Sequence, residues 1–162
     1  MRVLGIDPGI ALTGFGVVET GSGVLKAGHY GHISTESGQP LPSRLKILYD
    51  DLITVIKEYE PDVVAVEEIF FNKNAKTVII ASQARGVIIL AAINCGVEVA
   101  EYTPLQVKQS VAGYGRATKH QVQAMVKYLL RLDEVPKPDD TADALAIAIC
   151  HANSAEMIKR QK

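Results

Sequence analysis

The chain has 162 residues, 48% of them hydrophobic, and 17 Lys and Arg against 18 Asp and Glu for a net charge of −1. That length and apolar content suit one domain with a sizeable core and exclude a disordered, solvating tail. With three Phe, six Tyr and no Trp, the core must be filled by Val, Ile, Leu and Ala.

Arg2 to Asp7 reads as a short strand stopped by Pro8-Gly9. A second strand is expected from Leu12 to Glu19, and Gly21-Ser22-Gly23 turns the chain into a third from Val24 to about Ile33. Three strands joined by short turns predict an antiparallel meander. After a polar loop, Leu45, Leu48, Leu52, Ile53 and Ile56 form the stripe of an amphipathic helix over Arg44 to Tyr59, with Ser43 as its N-cap. Pro61-Asp62 interrupts it before the apolar strand Val63 to Val66, which ends at Glu67.

Asn74 to Cys95 predicts a helix that is apolar around too much of its circumference for an ordinary surface helix, and Gly96 closes it. Its apolar girth fits either a central core position or a helix shared with a second subunit. A short strand from Val97 to Tyr102 follows. Thr103-Pro104-Leu105-Gln106 and Thr118 with Gln121 are capping-box signatures for two further helices, the second over Lys119 to Leu132. A proline-rich turn, Val135 to Pro138, precedes a last helix from about Asp139 to Lys159. The order βββ-α-β-α-β-α-α-α predicts an α/β fold: a mixed sheet with helices on both faces, one domain over 1–162.

Cys95 and Cys150 lie in apolar surroundings without C-x-x-C spacing, as expected of buried, reduced thiols. Arg2 and the strand after it lack the pattern of a secretory leader, and the longest wholly apolar run, Val87 to Ile93, is too short to span a bilayer. A cytoplasmic, reducing compartment is the resulting expectation. Charge is unevenly spread: no Asp or Glu occurs from Tyr102 to Leu132, where Lys108, Arg116, Lys119, Lys127 and Arg131 lie. Such a one-signed stretch suits a polyanion as well as it suits a solvated helix face.

Asp7 and Glu67 each end an apolar strand, a position that holds a carboxylate rigidly at the solvent-facing edge. Glu68 points to the other side if that strand continues. Asp140 and Asp143 lie three apart at the start of the last helix and so share one face. The small residues after them would let this helix approach the sheet and bring both aspartates beside the strand-end carboxylates. Taken singly, each acid is better read as a turn-forming, strand-end or helix N-terminal residue, and Asp139 could serve wholly as a helix-end acid. Together, four carboxylates would repel one another unless cations neutralised them. Hard oxygen donors favour Mg²⁺ or Mn²⁺. Two such ions roughly 4 Å apart could activate a water and stabilise a departing 3′ oxygen in phosphodiester hydrolysis. No G-x-G-x-x-G and no Gly-Lys-Ser/Thr loop is present, which argues against a standard nucleotide site. Of the four histidines only His120, beside Lys119, is a candidate phosphate contact.

Several blocks also resemble a known family. They are Ile6-Asp7-Pro8-Gly9 with Thr13-Gly14-Phe15-Gly16-Val17; Val66-Glu67-Glu68 with Phe70; Gln83-Ala84-Arg85-Gly86; Pro104 to Gln109; Gly113-Tyr114-Gly115 with Lys119; and Asp143 to Ala148. In this order, over about Arg2 to Ile158, they resemble the RuvC family of Holliday junction resolvases. The resemblance implies a ribonuclease H-like fold. It also implies a homodimer that nicks two opposing strands of a four-way DNA junction, leaving 5′-phosphate and 3′-hydroxyl ends, and that works with the RuvAB branch-migration machinery. It implies Asp7, Glu67, Asp140 and Asp143 as catalytic metal ligands, with Mg²⁺ or Mn²⁺, and Lys108 and Lys119 on the scissile phosphate. Phe70 matches an aromatic near the crossover, with Phe71 a competitor for the role. Arg116 extends the DNA-binding set, and Arg85 and Gly86 fall on the implied interface helix. The rivals are a related nuclease for another branched substrate, a non-cutting junction-binding scaffold, which would be expected to lack an acidic position, and a phosphotransferase, for which the chain is short.

Overall fold

Val3, Leu4 and Ile6 are all fully buried, which a strand allows only when both its faces are covered. They lie on β1 (Arg2–Asp7), the middle strand of a five-stranded sheet. The computed structural model describes residues 1–21, 23–69 and 75–160. The other strands are β2 (Leu12–Gly21), β3 (Val24–Ser34), β4 (Val63–Glu67) and β5 (Glu98–Tyr102), in the spatial order β3-β2-β1-β4-β5. β1, β2 and β3 form the expected antiparallel meander, whereas β4 and β5 run parallel to β1. A parallel partner needs a crossover, and helices supply it.

The helices are α1 (Leu41–Tyr59), α2 (Ala75–Asn94), α3 (Pro104–Ala112), α4 (Lys119–Leu129) and α5 (Asp139–Arg160). Both capping boxes form as the sequence predicts: Thr103 with Gln106 opens α3, and Thr118 with Gln121 opens α4. Two helix ends differ. α1 begins at Leu41, not at Arg44 with a Ser43 cap; Pro42 falls in its first turn, where a missing N–H costs nothing. α4 stops at Leu129, and Arg131 turns the chain with φ of 54°.

Strand alternation divides the core in two. Leu4, Ile6, Val64 and Val66 pack on one face with Leu48 and Leu52 of α1 and Ala84, Ile88 and Ala91 of α2. Val3 and Ala65 pack on the other with Val107 of α3, Val122 and Val126 of α4, and Leu145 to Cys150 of α5. On this second face the sheet floor is glycine. A Cβ on Gly5 would strike the Ala144 carbonyl, and one on Gly14 would strike the Asp140 carbonyl. α5 therefore lies nearly in backbone contact with β1 and β2, an approach that its alanines and the strand glycines together permit.

α2 has the opposite surface. Ala84, Ile88, Ala91 and Ala92 are buried, but Ile79, Leu90 and Ile93 are 59%, 53% and 57% exposed. Its segment Lys76–Asn94 is long and apolar enough to cross a bilayer by length and composition, a test that the shorter run Val87 to Ile93 does not meet. Its buried side nevertheless packs on α1 and the sheet.

Candidate active site

The last registered pair of β1 and β4 is Ile6 with Val66, so the next residues, Asp7 and Glu67, leave neighbouring strands side by side. Both have the parity of Gly5 and Ala65 and so face α5 rather than α1 and α2. Asp7 also pairs with Gly14, the residue over which the Asp140 backbone lies. The glycine floor thereby brings the first turn of α5 to the two strand ends. Asp7, Glu67 and Asp143 line one cleft of about 260 Å³, with Lys108, Lys119 and Val107 among its other walls.

Burial pushes the Asp7 carboxyl up to about 8, and the charges of Asp143, Glu67 and Asp140 add to the effect. Burial, reinforced by Asp143, pushes Glu67 up to about 7, while Lys108 pulls it back. Asp143 is raised as well, by burial, against the opposing pull of Lys119. Lys119 donates to Asp143 at 2.9 Å and stands 3.6 Å from Asp139. Partial burial works against its ammonium, but the hydrogen bond and charge of Asp143 prevail and raise it. The site is a set of coupled carboxylates held partly out of water, with two lysines as the local counter-charge.

Asp139 is held differently from Asp143, although Lys119 stands near both. A hydrogen bond from Lys137 at 2.9 Å holds its carboxyl below the usual range, and it does not line the cleft. Asp140 does not line the cleft either, although its charge acts on both Asp7 and Asp143. Among the described residues no three acidic, imidazole or thiol groups converge closely enough to grip an ion unaided. The donor set nonetheless fits a hard divalent cation: every acidic group is an oxygen donor, Asp7 and Glu67 stay raised despite the nearby lysines, and the cleft has room for an ion that keeps several waters.

A family profile for the crossover junction endodeoxyribonuclease RuvC matches residues 3–151. The crossover junction endodeoxyribonuclease RuvC of Caldanaerobacter subterraneus is 60% identical over 160 residues, covering 99% of this chain and 97% of that protein. The chain belongs to the RuvC family. The RuvC of Thermus thermophilus superposes with a TM-score of 0.88 at 39% identity, covering 97% of this chain and 96% of that one. A structure of the T. thermophilus RuvC in complex with Holliday junction substrate superposes equally well, at 37% identity and with the same coverage of both chains. The mixed sheet with helices on both faces is the ribonuclease H-like fold expected of a RuvC protein. Nucleases of the RuvC family are in general dependent on divalent metal.

The remaining predicted residues divide. Arg116 and His120 are exposed and do not line the cleft. Phe70 and Phe71 lie outside the described residues, as do the side chains of the C-terminal lysines and Arg160. Sequence reasoning missed two supports. Thr13 and Thr35 donate to the carbonyls of Gly9 and Ile10, and Arg44 donates to the Thr35 hydroxyl at 2.9 Å, tying down the loop that follows Asp7. Arg85, on the helix expected at an interface, also donates to the Glu67 carbonyl at 3.2 Å. Nothing local in the sequence marks these contacts. The interior glycines Gly5 and Gly14 did offer a signal, because glycine inside a strand marks close backbone approach.

Proposed function

We propose that this protein resolves four-way DNA junctions by metal-dependent phosphodiester hydrolysis, as a RuvC-family endonuclease whose single nuclease domain is the whole chain. The observation that carries the proposal is the meeting of Asp7 and Glu67 with Asp143 in one cleft that is also walled by Lys108 and Lys119. Asp7, Glu67, Asp140 and Asp143 are the catalytic carboxylates and the residues that would hold Mg²⁺ or Mn²⁺, two ions per site. When bound, such cations supply the charge that activates water and stabilises the departing 3′ oxygen. The protein's own part is positional. Rigid strand ends fix Asp7 and Glu67, the first two turns of α5 carry Asp140 and Asp143 towards them, and Lys119 steadies Asp143 by its 2.9 Å contact. Lys108 and Lys119 orient the scissile phosphate as point charges. Incision leaves 5′-phosphate and 3′-hydroxyl ends.

A four-way junction offers two equivalent strands, and paired cuts require two copies of the cleft. The exposed stripe of Ile79, Leu90 and Ile93 on α2 suits a second copy of the chain, and the space beside Gly86 on the same helix is open. We place the homodimer interface there. Arg116 contributes a further phosphate contact, and Phe70 stacks at the opened crossover, a contact of roughly 1–3 kcal/mol. Work beside the RuvAB branch-migration machinery in the cytoplasm completes the reading. The test is incision of 5′-labelled synthetic four-way junctions, with linear duplex and forks as controls, with and without Mg²⁺. Symmetric, metal-dependent cuts confined to the junction are expected; cutting of linear duplex at the same rate would reject junction selectivity.

A further inference from the structure

Glu67 is held from behind as well as from the cleft. Its side chain faces α5, yet its carbonyl accepts a hydrogen bond at 3.2 Å from Arg85 Nε, which arrives from α2 on the opposite face of the sheet. The same guanidinium forms an ion pair with Glu101 of β5. Glu101 pairs in register with Val66, the residue before Glu67, and the Glu68 N–H donates to the Tyr102 carbonyl at 2.8 Å. Arg85 thus spans the ends of β4 and β5 where the sheet stops. Its side chain is 21% exposed and Glu101 is 46% exposed, so the pair is partly desolvated on the arginine side. A planar guanidinium can satisfy a carbonyl and a carboxylate at once; an ammonium offers no such fork.

We propose that Arg85, anchored by Glu101, is a positioning residue that sets the height of the Glu67 carboxylate in the cleft and so tunes its affinity for a divalent cation. The proposal rests on the reading of Glu67 as a metal ligand. Arg85 belongs to α2, one residue from Gly86, so the helix assigned to the subunit interface also holds the strand that carries a ligand. Removing the clamp leaves the last peptide of β4 held only by the bond from the Glu68 N–H to Tyr102, while every carboxylate of the cleft keeps its chemistry. The result is a ligand of unchanged chemistry whose mean position is wrong. Partners of this kind, behind a metal ligand, commonly contribute about 10- to 100-fold in affinity or activity.

The experiment measures Mn²⁺ binding by electron paramagnetic resonance on the full-length protein without DNA, for wild type, Arg85→Lys, Glu101→Gln and Glu67→Gln. Sedimentation and thermal melts accompany each variant. Arg85→Lys is expected to weaken Mn²⁺ binding about tenfold or more and to raise the Mn²⁺ concentration needed for half-maximal junction cutting by a similar factor. Junction affinity and sedimentation should be unchanged. Glu101→Gln should shift both in the same direction by less, since it leaves the carbonyl bond and removes only the anchor. Should Arg85→Lys fail to fold, Glu101→Gln carries the test alone. Wild-type Mn²⁺ affinity in both clamp variants, with Glu67→Gln impaired, overturns the clamp. Wild-type affinity in Glu67→Gln overturns instead the assignment of Glu67 as a ligand.

Discussion

α2 and α5 are matched in length but not in fit. Each is about twenty residues long and weakly amphipathic, with an apolar middle, yet one is sunk into the molecule and the other presents Ile79, Leu90 and Ile93 to solvent. The difference lies in side-chain size matched to the surface beneath. α5 carries a run of alanines and meets strand glycines, so its backbone descends until its first turn stands beside Asp7. α2 carries branched residues on both sides, and the sheet can receive only one of them. The helix that fits closely carries Asp143 into the cleft; the helix with apolar surface left over is the one suited to bring a second copy.

The largest effect expected from this contrast is at the site that α5 completes. Asp7→Asn should lower cutting roughly a thousandfold or more, because several kcal/mol of transition-state stabilisation depend on cation binding there. Junction binding in gel shifts should persist, since the lysines remain. Loss of binding in parallel would mean that the carboxylate supports the fold.

Next is the close approach itself. Gly14→Val places carbon where the Asp140 carbonyl lies, and should cost about 3 kcal/mol in denaturant unfolding together with activity. A stable, active variant would show that α5 can retreat without consequence. On α2, Leu90→Glu should leave the melting temperature nearly unchanged but convert a dimer to monomer in sedimentation and abolish paired cuts. If the dimer survives, the exposed stripe is not the interface.

Lys119→Ala should weaken turnover and reduce the salt slope of junction binding by about one; an unchanged slope would argue against direct phosphate contact.

The same carboxylates also set how stability depends on pH. Asp7 and Glu67 are raised to about 8 and 7 in the folded protein, above their usual values of 3.8 and 4.5. Between those limits the folded state binds more protons than the unfolded one, so stability falls as pH rises from about 4 to 8. Metal-free melting temperatures should decline across that window. Asp7→Asn or saturating Mg²⁺ should flatten the decline, and a slope unchanged by either would remove the coupled carboxylates as its source.

Much of this was legible in the chain itself, because it rests on local rules. Apolar runs ending in Asp7 and Glu67, two capping boxes and a three-residue step between Asp140 and Asp143 announce strands, helix starts and a shared helix face. Strand parity then predicts that Glu68 turns away from Glu67. Where the local rule was only a preference it misplaced the element, as at Ser43, because Pro42 tolerates the first turn and the helix extends to Leu41. The tertiary structure alone decided the rest. It brought Lys119, at the start of α4, against Asp143 of α5. It also placed Arg85 behind Glu67 across the sheet. Such contacts join residues far apart in sequence or on opposite faces, where no periodicity reaches, and only packing brings their charges within range of one another.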